Sequence, residues 1–210
     1  MKYKNYLFDL DGTLTDPGLG IKNSIRYALE RAGLTPLDEE TLNLFIGPPL
    51  IDSFQQYCGA TADEARELVR LYREYFSVTG LFENEVYDGI REMLEALKER
   101  GAKIFLATSK PEPFAVKILE HFDLMKYFTF AGGSTMDETR TAKWEVIDYV
   151  LKTANISAEE SVMVGDRKYD IEGGRKCGLD TVGVTFGYGD RSEFDDANYI
   201  IDIPKELLDI

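Results

Sequence analysis

Five short apolar runs set the terms of the fold: YLFDL (Tyr6–Leu10), AKIFLAT (Ala102–Thr108), FTFAGG (Phe128–Gly133), SVMVGD (Ser161–Asp166) and DTVGVTF (Asp180–Phe186). Each is rich in β-branched or aromatic residues and ends near Gly, Asp, Thr or Ser, the pattern of a buried strand with its turn. Amphipathic stretches separate them. GIREMLEALKERG places Ile90, Met93, Leu94 and Leu97 on one face and stops at Gly101, and PFAVKILEHF, KWEVIDYVLKTA and YDIEGGRKCG follow in later gaps. Alternation of this kind predicts an α/β fold: a parallel sheet with helices on both faces.

One region breaks the alternation. Between about Gly18 and Gly80 only helical patterns occur: IKNSIRYALERAG, LDEETLNLFIG, LIDSFQQYCG and TADEARELVRLYREYFSVTG. The first carries Ile21, Ile25, Ala28, Leu29 and Ala32 on one face, and the last opens with a Thr-x-x-Glu capping box at Thr61 and Glu64. A small all-α domain over residues 16–81, inserted into a core made of 1–15 and 82–210, accounts for this order.

Composition removes several function classes. The formal charge is -14, which leaves no excess of Lys and Arg for a nucleic-acid backbone or an anionic membrane. No segment approaches the run of about eighteen apolar residues that a membrane helix needs. The opening MKYKNYLF has no signal-peptide pattern, so a cytoplasmic location is expected. Cys58 and Cys177 stand far apart outside any CxxC and read as buried, reduced thiols. The single histidine, His121, lies on an expected helix; it excludes a multi-histidine zinc site and argues against a serine–histidine triad.

Ligands of open parallel sheets bind beyond the carboxyl ends of the strands. There the chain places Asp9, Asp11 and Gly12, then Thr108 and Ser109, then Asp166 and Asp170. Three or four carboxylates meeting in one crevice need a cation to neutralise them, and a hard divalent ion, Mg2+ above all, does so with oxygen ligands alone. Asp9 and Asp11, two residues apart, would face the same way on a regular strand. One carboxylate attacking phosphorus and the other carrying protons would split phosphate hydrolysis into two displacements. Gly12 would let the backbone turn close to the phosphate and present N–H groups to it. Taken singly, each aspartate also fits an ordinary turn or helix cap.

The set resembles the haloacid dehalogenase-like phosphohydrolase superfamily. FDLDGTLTD is similar to its first motif, Asp-x-Asp-x-Thr after a strand; IFLATSK to the second; Lys143 in TRTAKWEVI to the phosphate-stabilising lysine; and VMVGDRKYD to Gly-Asp-x-x-x-Asp. The resemblance covers the whole chain. It implies a Rossmann-like core with a helical cap inserted after the first motif. It also implies roles: Asp9 nucleophile and metal ligand; Asp11 general acid/base that offers its backbone carbonyl to the metal; Thr108, Ser109 and Lys143 on the phosphoryl oxygens; Asp166 the remaining metal ligand; Asp170 supporting it. Arg140 is a neighbouring cation in the Lys143 loop.

Substrate choice in the superfamily lies with the cap. Gly47-Pro48-Pro49 in FIGPPL suggests a cap loop reaching toward the site, and Lys22, Asn23 and Arg26 on the first cap helix could meet a second charged group; an interhelical turn and a solvated face are the plain alternatives. The expected function is Mg2+-dependent hydrolysis of small phosphomonoesters, with phosphoglycolate or a nucleoside monophosphate leading, in the manner of phosphoglycolate phosphatases and 5'-nucleotidases. A phosphosugar mutase and a non-catalytic phosphate-binding member are the alternatives. A dehalogenase has no need of Asp11, and GVTFGYG (Gly183–Gly189) does not fit dinucleotide spacing. The expected partner is a small phosphorylated metabolite, bound by a monomer or weak homodimer.

Overall fold

In a computed structural model, residues 2–137 and 139–210 are described. Met1, in the expected core segment 1–15, and Glu138, in 82–210, lie outside them. The chain divides into two compact units, residues 1–16 with 86–210 and residues 17–85. In order, it forms β1 (Asn5–Phe8), β2 (Thr15–Asp16), α1 (Gly18–Ala32), α2 (Glu39–Asn43), α3 (Leu50–Cys58), α4 (Ala62–Tyr75), a π-helical turn (Phe76–Gly80) and β3 (Glu85–Val86). Then come α5 (Ile90–Glu99), β4 (Lys103–Pro111), α6 (Glu112–His121), β5 (Phe130–Ser134), α7 (Lys143–Ala154), β6 (Ser161–Gly165), α8 (Lys168–Lys176), β7 (Asp180–Val184) and β8 (Tyr199–Ile201).

The first unit is built on one parallel sheet in the order β5-β4-β1-β6-β7-β8. Central strands β1 and β6 are buried along their whole length, which is why they read as unbroken apolar runs rather than alternating ones. Register places Leu7 beside Phe105 and Met163. These three pack on one face against Val146, Ile147 and Val150 of α7. Phe8, Val164 and Val184 turn to the other face, toward Ile90 and Met93 of α5. Each such fully buried side chain contributes about 1.5–3 kcal/mol. The sheet with helices on both faces is the architecture expected.

Several boundaries differ from expectation. β4 continues past Thr108 to Pro111, β5 begins at Phe130 rather than Phe128, and β8 was not foreseen. β2 and β3, two residues each, carry too little periodicity to read. Both cysteines are free and half-buried rather than buried.

In the second unit, α1 buries Ile21, Ile25, Ala28 and Leu29, as the spacing predicts, but begins at Gly18. The Leu37–Gly47 stretch is helical only over Glu39–Asn43. Gly47 at φ 108° precedes two prolines, and proline drives the residue before it out of helical geometry. α3 resumes directly after Pro49, where the missing proline N–H costs no intrahelical bond. α4 has the expected box: Thr61 N–H donates to Glu64 Oε2 at 2.8 Å and Glu64 N–H to Thr61 Oγ1 at 3.4 Å. Among the described residues no helix is long and apolar enough to cross a membrane.

Candidate active site

The sheet order changes direction around β1, which has β4 on one side and β6 on the other, and such a switch point opens a crevice at the carboxyl ends of the strands. Asp9 follows β1 directly, and its N–H still reaches Val164 O of β6 at 3.0 Å. That bond fixes where the side chain leaves the sheet. Asp9 Oδ1 accepts from Leu10 N–H at 2.8 Å and lies 2.9 Å from Lys143 Nζ.

Beyond Asp9 the chain turns tightly. The N–H groups of Thr13, Leu14 and Thr15 all point at Leu10 O, at 2.9–3.2 Å. Asp11 therefore sits in a turn and not on a regular strand, and its orientation is set by these bonds rather than by the two-residue period. Gly12 has φ 80°, and a Cβ there would fall on the Asp166 carboxylate. Only glycine fits this conformation and this approach together.

The two aspartates of the turn have different cations. Asp11 Oδ2 pairs with Lys110 Nζ at 2.7 Å, while Asp11 Oδ1 is buried without a hydrogen-bond partner. Burial raises the Asp11 carboxyl above its ordinary range, with Lys110 opposing. Lys143, at the start of α7, lies 2.9 Å from Asp9 and 2.8 Å from Asp170 Oδ1 and donates to Ala107 O at 3.2 Å. Its own burial disfavours the charge, but the Asp170 and Asp9 carboxylates outweigh that and hold its ammonium above its usual value. Asp170 Oδ1 lacks hydrogen-bond geometry yet is ion-paired with Lys143, so it is not orphaned.

Asp166 follows β6 and is 1% exposed. Thr13 Oγ1 donates to its Oδ1 at 3.2 Å and Tyr188 N–H to its Oδ2 at 2.9 Å. Burial first, then the Asp170 and Asp9 charges, push this carboxyl up to about 8. Burial likewise takes Asp170 up to about 6 against the pull of Lys143. Asp170 Oδ2 also accepts from Arg167 N–H at 3.0 Å, capping α8. Asp170 is thus held by Lys143 and the helix cap, with its carboxylate beside that of Asp166.

Carboxylate oxygens of Asp9, Asp166 and Asp170 lie within 4.8 Å of one another, all on buried residues. A buried all-oxygen donor set with excess negative charge, beside the unpartnered Asp11 Oδ1, fits a hard divalent cation.

Among the other expected residues, Thr108 is buried at the end of the regular part of β4, with Oγ1 accepting from Lys110 N–H at 3.2 Å. Ser109 is exposed. Arg140 is not among the carboxylates: it donates to Gly133 O at 3.0 Å, reaches Glu112 and lies 3.7 Å over the Tyr149 ring. In the second unit, Lys22 pairs with Glu39 at 3.4 Å, Arg26 pairs with the same glutamate, and Arg26 Nη1 donates to Asn23 Oδ1 at 2.9 Å. Gly47 and Pro48 form the bend between α2 and α3. His121 is exposed at the end of α6, with its ring 4.8 Å from that of Phe122.

Three contacts of the site escaped the sequence reading: Lys110, Thr13 and Tyr188. Thr13 is the threonine of DGT and Lys110 follows directly on the Thr108-Ser109 pair, so each was adjacent to a recognised signal. Tyr188 lies in the FGYG loop, which had drawn notice only for failing a dinucleotide pattern.

A model of the haloacid dehalogenase-like hydrolase family matches residues 6–184. A Pseudomonas aeruginosa protein named 5'-nucleotidase is 47% identical over 92% of this chain and 87% of its own length. Tyrosine-protein kinase PtkA of Mycobacterium tuberculosis is 37% identical over 90% of this chain, which spans 64% of that longer protein. The crystal structure of a "predicted phosphatase" from Clostridium acetobutylicum superposes with a TM-score of 0.93 at 42% identity, covering 100% of this chain and 98% of that one.

Proposed function

The chain belongs to the haloacid dehalogenase-like hydrolase family, and from that footing we propose that it hydrolyses small phosphomonoesters through an aspartyl-phosphate formed on Asp9. Phosphatase action on small phosphate compounds is the family-level activity; the proposal concerns the route, the metal and the substrate. The observation that carries the route is the division of cations: Asp9 beside Lys143, Asp11 beside Lys110. Two neighbouring carboxylates held in different surroundings can take different jobs.

In the first displacement an Asp9 oxygen forms a bond to phosphorus as the ester oxygen departs, and Asp11 delivers the proton that the leaving oxygen needs. In the second, Asp11 takes a proton from water as that water attacks phosphorus, releasing inorganic phosphate and restoring the Asp9 carboxylate. Lys143 offsets charge on the phosphoryl oxygens. Thr108 and Ser109 add hydroxyls, and the backbone around Gly12 adds N–H groups. Asp9, Asp166 and the Asp11 carbonyl would hold Mg2+, with Asp170 setting the position of Lys143. When bound, the ion neutralises the carboxylates and polarises the phosphoryl group.

The helical unit 17–85 serves in this reading as the cap that selects the leaving group, with Lys22, Gly47 and Pro48 as its candidate contacts. A nucleoside monophosphate is the leading substrate, supported by the relative of the P. aeruginosa nucleotidase type at 47% identity. Phosphoglycolate stands second.

Asp9→Asn should abolish hydrolysis of an aryl phosphate and leave no acid-stable protein-bound phosphate after a rapid quench, with the melting temperature retained. Asp11→Asn should lower turnover by about 10²–10⁴-fold, the range of a lost general acid/base. Full activity in Asp9→Asn would eliminate the covalent route. A panel of nucleoside monophosphates, phosphoglycolate, pyrophosphate and sugar phosphates, assayed with Mg2+ and with chelator, ranks the substrates. Isomerised sugar in place of free phosphate would mark a mutase.

A further inference from the structure

The loop after β7, Phe186–Gly189, is fastened within the first unit at three points. Tyr188 N–H donates to Asp166 Oδ2 at 2.9 Å, and the Tyr188 hydroxyl donates to Asp16 Oδ1. The Phe186 ring meets the Tyr87 ring edge-on, with centroids 5.5 Å apart. The flanking glycines leave no slack, since a Cβ on Gly187 would fall on Gly12 O and Asp166, and one on Gly189 on Asp166 O. Asp16 is the last residue of this unit before the chain leaves it. Tyr87 lies just after the return, its N–H donating to Leu14 O at 3.2 Å. One residue therefore touches both a candidate metal carboxylate and the segment on which the chain exits.

We propose that Tyr188 is a positioning residue for metal binding: its hydroxyl, anchored on Asp16, fixes the loop so that its backbone N–H aims Asp166 at the ion. The inference rests on Asp166 being a ligand of that ion. A backbone N–H has no freedom of its own; its direction is the direction of the loop. Two bonds at opposite ends of one residue remove the rotation that would swing it off Asp166. An oriented carboxylate keeps its remaining lone pairs on the ion, and outer partners of this kind carry a large share of metal affinity.

The test uses the full chain and Mg2+ itself. Titration calorimetry on Tyr188→Phe and Asp16→Ala should show Mg2+ binding weaker by about tenfold, the lower end for outer-partner losses. Half-saturating Mg2+ for aryl phosphate hydrolysis should rise by the same factor while kcat at saturation recovers. Asp16→Asn keeps an acceptor oxygen and should stay within about twofold of wild type by the same argument. The double variant Tyr188→Phe with Asp16→Ala should be no weaker than Asp16→Ala alone, because both remove the Tyr188–Asp16 bond. Normal Mg2+ titration in Tyr188→Phe overturns the proposal, and so do additive losses in the double variant. A lowered metal-free melting temperature with an unchanged Mg2+ titration would make the bond a brace of the fold and overturn it too. A wild type that neither binds nor needs Mg2+ would instead remove the metal assignment, and the inference with it.

Discussion

At the scale of single residues the sharpest tension is at Asp166, a carboxyl with almost no solvent, pushed up to about 8 by burial and by Asp170 and Asp9. In the unfolded chain the same group titrates near 3.8. Between these values the metal-free folded state holds a proton that the unfolded state lacks, so stability falls as pH rises across that window. Chelator-treated protein should melt at lower temperature at pH 8 than at pH 6, and the part of that slope due to this group should vanish in Asp166→Asn. Mg2+ should flatten the slope, because it favours the ionised carboxylate that the fold alone disfavours. An equal slope in Asp166→Asn would show that another group sets the pH dependence. This strain is what made the site legible: Asp9, Asp11 and Asp166 are charges closing apolar runs, and a charge in such a place asks for a partner. Lys143 could be placed by motif order. Lys110 could not, since a lysine before proline in TSKPEP reads as a surface residue until the fold brings Asp11 within 2.7 Å of it.

At the scale of elements, the end of β4 shows why strand boundaries were the least readable part of the fold. β4 pairs with β5 through Thr108↔Gly133 and then jumps to Pro111↔Ser134. Ser109 and Lys110 are the surplus of this bulge, and bulges beside active sites re-aim side chains. The irregularity buries Thr108, exposes Ser109 and sends Lys110 to Asp11, a sequence of directions that no two-residue period contains. Its partner strand must be glycine at the crossing: a Cβ on Gly133 would lie 2.7 Å from both Glu112 Cα and Lys110 O. Those are backbone atoms and cannot swing aside. Gly133→Ala should therefore destabilise the fold by about 1–3 kcal/mol, as overpacking does. Because the displaced backbone carries Lys110, activity measured well below the melting temperature should fall as well. An active Gly133→Ala protein with a lowered melting temperature would show that the bulge serves packing alone. The helices were more legible because Ile90, Met93, Leu94 and Leu97 repeat one face over about two turns, whereas two-residue strands such as β2 and β3 repeat nothing.

At the scale of the whole molecule, the chain is an acidic protein that handles an acidic substrate: 38 Asp and Glu against 24 Lys and Arg give the net -14. A run of helical patterns over about Gly18 to Gly80 interrupts the strand–helix alternation, and the second compact unit spans 17–85. The balance between global and local charge was not legible, because it depends on which lysines end up buried. Lys110 and Lys143, with side chains 6% and 5% exposed, both face carboxylates, so neither projects a free positive field to guide a phosphate inward. A dianionic substrate approaching from a distance then meets net repulsion, which acts on the encounter rate. Repulsion at long range is screened once the Debye length falls to about 10 Å near 0.1 M salt. kcat/KM for a nucleoside monophosphate should consequently rise, by about twofold, as inert salt takes ionic strength from about 0.01 to 0.15 M at constant free Mg2+, with kcat unchanged. A fall in kcat/KM over that range would mean that attraction near the site outweighs the charge of the molecule.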